Sequence, residues 1–141
     1  MASTSVGPNY ILDKTFLVAT GYTITGYQVV AQGSTAGTCN PPANDASPFL
    51  GVAQLDPNEG VTLTAGKTVR VRMMGITKAQ AGAAITTNTP VSVLGTLGLV
   101  DDITPGTVGD YWVGVALEAA SQLGDIITID LTNKNSRYAA S

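Results

Sequence analysis

The sequence contains no histidine, a single cysteine and little charge. Without histidine, the commonest general base and metal ligand are both missing. One cysteine, Cys39, permits neither an internal disulfide nor a cysteine metal cluster, and synthesis in a reducing cytoplasm is the simplest expectation. Charged residues are 12% of the 141, with a net charge of -3, where an ordinary soluble domain carries roughly one quarter. So few Lys and Arg argue against a nucleic-acid binder, whose affinity comes from cations meeting phosphates. No apolar run is long enough to span a bilayer as a helix. Residues 1–10 have neither the basic region nor the apolar segment of a secretory signal. A surface this poor in charge suits coverage by partners or, equally, a neutral face of Thr and Ser.

What is present is a short repeat. Phe-Leu-Gly-Val-Ala at 49–53 returns as Trp-Val-Gly-Val-Ala at 112–116. Each copy precedes a polar turn and a β-like run, 61–73 after the first and 126–131 after the second. The repeat holds no group capable of acid, base or nucleophilic chemistry, so it reads as scaffold: two equivalent strands flanking one core, with small residues that let a neighbouring strand lie close.

Alternation marks the strands. Val69, Val71 and Met73 face one way and Arg70 and Arg72 the other; Ile127, Ile129 and Leu131 face inward while Thr128 and Asp130 face out. Residues 15–19, 27–31, 61–65 and 91–94 are further strands, with 99–100 completing a hairpin. In 111–117, Tyr111, Val113, Val115 and Leu117 share one face. Residues 78–84 are Ala-rich and are expected to hold one or two helical turns, weakened by Gly82. Residues 34–48, with Pro41, Pro42 and Pro48, read as a long surface loop. The organisation expected is an extended arm at 1–12, one β domain at 13–132 and an exposed tail at 133–141. Eight to ten short strands between Gly/Pro turns make an all-β fold, a small β-barrel or β-sandwich with at most one short helix.

Catalytic constellations are absent from this reading. Lys67 and Lys78 sit in turn-like positions without the burial that lowers a lysine pKa. Asp101, Asp102 and Asp110 do not follow a calcium-loop spacing. Asp56, Glu59 and Asp110 are carboxylates whose separation sequence does not fix. No cofactor, metal or enzymatic activity is expected. Arg70 and Arg72 have two readings: a solvated face with local ion pairs, or a basic strip that meets carboxylates on a partner. Tyr10, Tyr22 and Tyr27 are the aromatics available for a carbohydrate-stacking platform.

A resemblance adds to this. The order Thr-Phe-Leu-Val-Ala-Thr-Gly (15–21), Phe-Leu-Gly-Val-Ala-Gln (49–54), Ala-Gly-Lys-Thr-Val-Arg-Val-Arg (65–72), Gly-Ile-Thr-Lys-Ala (75–79), Pro-Val-Ser-Val (90–93), Val-Gly-Val-Ala-Leu-Glu-Ala-Ala (113–120) and Gly-Asp-Ile-Ile-Thr-Ile-Asp-Leu (124–131) resembles the capsid cement, or decoration, proteins of tailed bacteriophages. The resemblance implies a small β-barrel or β-sandwich (β-tulip-like) subunit that assembles as trimers, less often dimers, on the outer surface of the virion head. It would bind the major capsid protein and stabilise the shell, with no nucleic-acid or membrane partner. The candidate contacts are then Asn9 and Tyr10 in the arm, Arg70 and Arg72 toward acidic partner residues, and Trp112 in the core or a subunit interface. Two other classes remain open: a carbohydrate-binding or adhesion module displayed on the virion, and a minor tail or fibre subunit.

Overall fold

Period-two alternation produces a closed five-stranded barrel. The computed structural model describes residues 11–44, 48–55, 62–94, 97–103 and 109–137. The strands are β1 (Leu12–Val18), β2 (Thr23–Ile24), β3 (Val29–Gln32), β4 (Thr38–Asn40), β5 (Gly51–Ala53), β6 (Leu63–Thr64), β7 (Thr68–Met74), β8 (Ile76–Gln80), β9 (Pro90–Val93), β10 (Val100–Asp102), β11 (Gly114–Ala116) and β12 (Ile126–Asp130), followed by one 3-10 turn, Leu131–Asn133. The barrel runs β1-β4-β3-β5-β7; a second five-stranded sheet runs β10-β9-β11-β12-β8, and β2 pairs with β6. The expected all-β class is what the chain adopts.

The two sheets are one motif used twice. Strands β1, β3, β4, β5 and β7 correspond in order to β8, β9, β10, β11 and β12. Each antiparallel pairing has its counterpart: β1–β7 with β8–β12, β3–β4 with β9–β10, β3–β5 with β9–β11, and β5–β7 with β11–β12. The parallel β1–β4 pair recurs as a single parallel bridge between Ala81 and Val100, which joins the two edges of the second sheet. Even the small β2–β6 sheet has an echo in the bridge between Ile85 and Ala120. The Phe-Leu-Gly-Val-Ala repeat is the central strand of each copy.

Glycine is required at the centre of that repeat. A Cβ on Gly51 would collide with the carbonyl oxygen of Arg72 on β7, and one on Gly114 with that of Asp130 on β12. These carbonyls occupy equivalent places, since Val52 pairs with Arg72 and Val115 with Asp130.

The copies differ in how they close. In the first, Leu17 N–H donates to Gly37 O at 2.9 Å. In the second, the equivalent groups are pulled apart by residues 27–29 of the first copy: Gln80 N–H donates to Tyr27 O at 3.3 Å and Val29 N–H to Gly98 O at 2.9 Å. The first copy thus fills the mouth of the second. Around this insertion Val29, Phe49 and Val52 join Ala79, Val91, Ile127 and Ile129 in one buried cluster, while Phe16, Val18, Ile24, Val30, Cys39 and Val71 fill the first barrel. Burying a side chain such as Phe49 contributes roughly 2–3 kcal/mol. Polar groups at the junction are paired: Gln28 Nε2 donates to Leu97 O at 2.7 Å and Gln54 Nε2 to the Thr77 hydroxyl at 2.7 Å.

Several local expectations are corrected. Residues 78–84 form no helix; Ile76–Gln80 is β8, held by five register pairs to β12, and that pairing overrides the helical preference of alanine. The loop expected at 34–48 contains β4, which lies between β1 and β3. The two prolines begin one residue after β4 ends, so their missing N–H groups cost the ladder nothing. In 111–117 only Gly114–Ala116 is strand; Val113 and Ala116 are both buried and Leu117 is exposed, so the strict two-face division does not hold. The tail is not wholly exposed: Lys134, Asn135 and Ser136 are half-buried. The arm at 1–10, the turn at 56–60 and positions 138–141 lie outside the described residues.

Candidate interaction surfaces

The two arginines of β7 meet a carboxylate within their own chain. Antiparallel pairing sets Asp13 of β1 opposite Arg72. Arg72 Nε donates to Asp13 Oδ1 at 2.8 Å and Nη2 to Oδ2 at 3.1 Å, while Nη1 donates to Ile76 O at 3.0 Å. This two-pronged fork fixes the guanidinium plane. The Arg72 hydrogen bond holds the Asp13 carboxyl below its usual range, with the charges of Arg72 and Arg70 adding to it against the effect of burial. Arg70 reaches the same carboxylate at 3.4 Å, yet its side chain is 61% exposed. Of the two, therefore, Arg70 keeps a solvent-facing guanidinium, and Arg72 is committed to bracing β1 against β7.

Beside this ion pair lies an apolar strip. Leu12 pairs with Met74, and both are about half exposed, as are Ile11 and Ile76. The strip begins where residues 1–10 run into β1. Lys14 on the same strand stands 5.7 Å over the Phe16 ring.

Trp112 is half-buried, and its backbone holds the C-terminal segment: its N–H donates to Ser136 O and its carbonyl accepts from Asn135 N–H, both at 2.8 Å. Arg137 stacks 4.6 Å from the centre of the neighbouring Tyr111 ring. In the first copy the corresponding aromatic, Phe49, is fully packed into the junction. Asn9 and Tyr10 lie outside the described residues. Tyr22 lines an open pocket, whereas Tyr27 is partly buried and packs against the junction cluster.

Sequence reasoning missed Lys134 and Asn135. Lys134 Nζ donates to Leu50 O at 2.6 Å and Met73 O at 2.8 Å, and burial pushes its pKa down. The only sequence signal was an Asn near a strand end, a residue that tolerates left-handed backbone. Asp102 accepts from Thr86 N–H and the Thr89 hydroxyl, and Asp125 from Ser121 and Gln122 N–H. Those acids brace turns. Among the described residues no group of three His, Cys, Asp or Glu could hold a metal ion, and no helix is long and apolar enough to cross a membrane. The Cys39 thiol is buried and pushed up to about 11 by desolvation.

Comparison with known proteins fits this architecture. The chain is similar in fold to the N base of head fiber gp8.5 in bacteriophage phi29, with a TM-score of 0.62 at 18% identity over 89% of this chain and 98% of that one. No curated protein matches. The family model described as phage cement protein matches residues 13–131, which span both copies of the barrel motif, and the chain therefore belongs to the phage cement protein family.

Proposed function

We propose that this phage structural protein is a head decoration protein that binds the exterior of the capsid, bridges neighbouring major capsid subunits and stabilises the shell. The family match across both barrels carries the reading. The fold supports it: a closed barrel and a second five-stranded sheet are joined through a buried cluster that takes residues from both, and the chain carries little charge. Such a body works by avidity, several weak footprints acting together on a fixed lattice. The capsid-facing footprint is the apolar strip Ile11, Leu12, Met74 and Ile76 with the exposed Arg70 beside it. The arm at 1–12, including Asn9 and Tyr10, continues that footprint by adding a strand to a capsid sheet edge. The assembled unit is a trimer. The reaction chemistry required is none.

A second reading is that the double barrel is the base of a head fibre, favoured by its likeness to the phi29 N base. Mixing purified protein with mature capsids and imaging them by electron microscopy tests both. Density bridging capsid subunits supports cement, and density at the foot of a projecting fibre supports the base. Removal of residues 1–9 is expected to abolish capsid binding with the fold intact; undiminished binding would overturn the role of the arm. Light scattering of the free protein reads the trimer.

A further inference from the structure

The duplication provides an internal control for one pocket. Gly33 and Thr38 of the first copy correspond to Leu94 and Leu99 of the second: Gly33 N–H donates to Thr38 O at 2.9 Å, and Leu94 N–H to Leu99 O at 2.8 Å. Ala19 likewise corresponds to Gly82, through its bond to Cys39 O matching that of Gly82 to Val100 O. In the second copy the two leucines crowd the space above Gly82, where a Cβ would lie 3.1 Å from Leu94 Cδ2 and from Leu99 Cβ. In the first copy Thr38 stands at the place of Leu99, its hydroxyl occupying the position a Cβ on Gly33 would take, and Thr38 and Ala19 border a pocket of about 350 Å³.

The lining of this pocket specifies a chemistry. Its polar side chains are Thr20, Tyr22, Ser34, Thr35, Thr38 and Asn40, and no charged residue contributes. Thr38 donates its hydroxyl to Thr35 O at 2.5 Å and Asn40 its amide to Pro41 O at 2.8 Å. The hydroxyls of Thr20, Tyr22, Ser34 and Thr35 belong to exposed residues of this lining. Each offers one donor and two acceptor sites. At the rim stand Tyr22, 47% exposed, and Leu17, 44% exposed. A set of solvent-accessible hydroxyls with an aromatic edge and no charge matches a neutral polyhydroxylated ring, whose hydroxyls would face the Thr and Ser groups while its C–H face would lie on Tyr22.

We propose that this pocket of the first barrel binds a neutral carbohydrate and that the second copy, with Leu99 in the place of Thr38, lacks the site. The proposal is independent of capsid attachment. The test is ¹H–¹⁵N NMR of the full chain titrated with glucose, galactose and N-acetylglucosamine, each to about 50 mM, enough to detect millimolar affinity. The expected result is saturable shifts for at least one sugar, confined to amides near Thr20, Tyr22, Thr35, Thr38 and Asn40. They should vanish in Tyr22→Ala and in Thr38→Leu, which puts the side chain of the second copy's Leu99 on the pocket wall. Tyr22→Ala carries the comparison alone if Thr38→Leu does not fold. Absence of saturable shifts with all three sugars, or shifts that survive Tyr22→Ala, would overturn the proposal.

Discussion

The side chain of Asn135 pairs with the backbone of Phe49 as a second strand would. Its Oδ1 accepts from Phe49 N–H at 2.7 Å and its Nδ2 donates to Phe49 O at 3.0 Å. Its own N–H donates to Trp112 O at 2.8 Å. One residue thereby ties together the two equivalent aromatics of the repeat, and it does so in left-handed backbone, with φ of 66°. Asn135→Ala removes both side-chain bonds, strands the Phe49 backbone groups and adds left-handed strain. The expected loss is about 2–4 kcal/mol of unfolding free energy in urea. Asn135→Gly relieves the strain and should lose less than Asn135→Ala, an order that would not appear if the side-chain bonds contributed nothing and φ were free to relax in both.

The next prediction concerns the repeat itself. Gly51→Val and Gly114→Val each drive a Cβ into a neighbouring strand's carbonyl oxygen, and backbone atoms cannot move aside as a flexible side chain would. Each is expected to cost more than about 3 kcal/mol, comparable with much of a small protein's total stability. Expression with circular dichroism melting checks this. A variant that keeps the parent melting point would show that the ladder can widen at that site.

These two sites show what was legible. Glycine in the repeat was readable because a strand that passes another closely leaves a small residue in a fixed place. The inward faces of β7 and β12 were readable from alternation alone. The full duplication was not, since the copies share pairing geometry while most side chains differ: Phe49 answers to Trp112, Thr38 to Leu99, Arg72 to Asp130. β4 was hidden because a three-residue strand ringed by Gly and Pro carries no periodic signal. β8 was hidden because alanine favours helix when alone and strand only when β12 is beside it. The long-range partners, Asp13 for Arg72 and Phe49 for Asn135, are 59 and 86 residues apart, and no local pattern encodes them.

The Asp13–Arg72 fork gives a pH prediction. The carboxyl's folded pKa is lowered from the usual 3.8, so the unfolded chain binds its proton first as pH falls. The stabilisation is therefore fully present above the unfolded value and is lost as pH drops through the folded one. At neutral pH, Asp13→Asn should cost about 1–2 kcal/mol, since the partly buried fork is charge-assisted and bidentate. The difference between wild type and variant should narrow steadily below pH 3.8. Urea denaturation at a series of pH values measures it; a gap independent of pH would place the cost in packing and not in charge.

Cys39 supplies a probe of the first barrel alone. It is the only cysteine, it is wholly buried on β4, and burial raises its pKa to about 11. At pH 8 the native thiol is almost entirely protonated and shielded, so a maleimide or disulfide reagent reaches it only through local or global opening. Labelling should run at least about 100-fold slower in native protein than in urea-unfolded protein. Asn135→Ala should accelerate it if the tail braces the first barrel, because Phe49 and Leu50 lead directly into β5. The duplication adds a control: Val100 occupies the equivalent buried position in the second barrel. Cys39→Val is therefore expected to stay within about 1 kcal/mol of wild type, whereas Cys39→Ser, which buries a hydroxyl in an apolar cluster, should lose about 1–3 kcal/mol. Equal stability of the Val and Ser variants would mean that the first barrel admits water where the second does not.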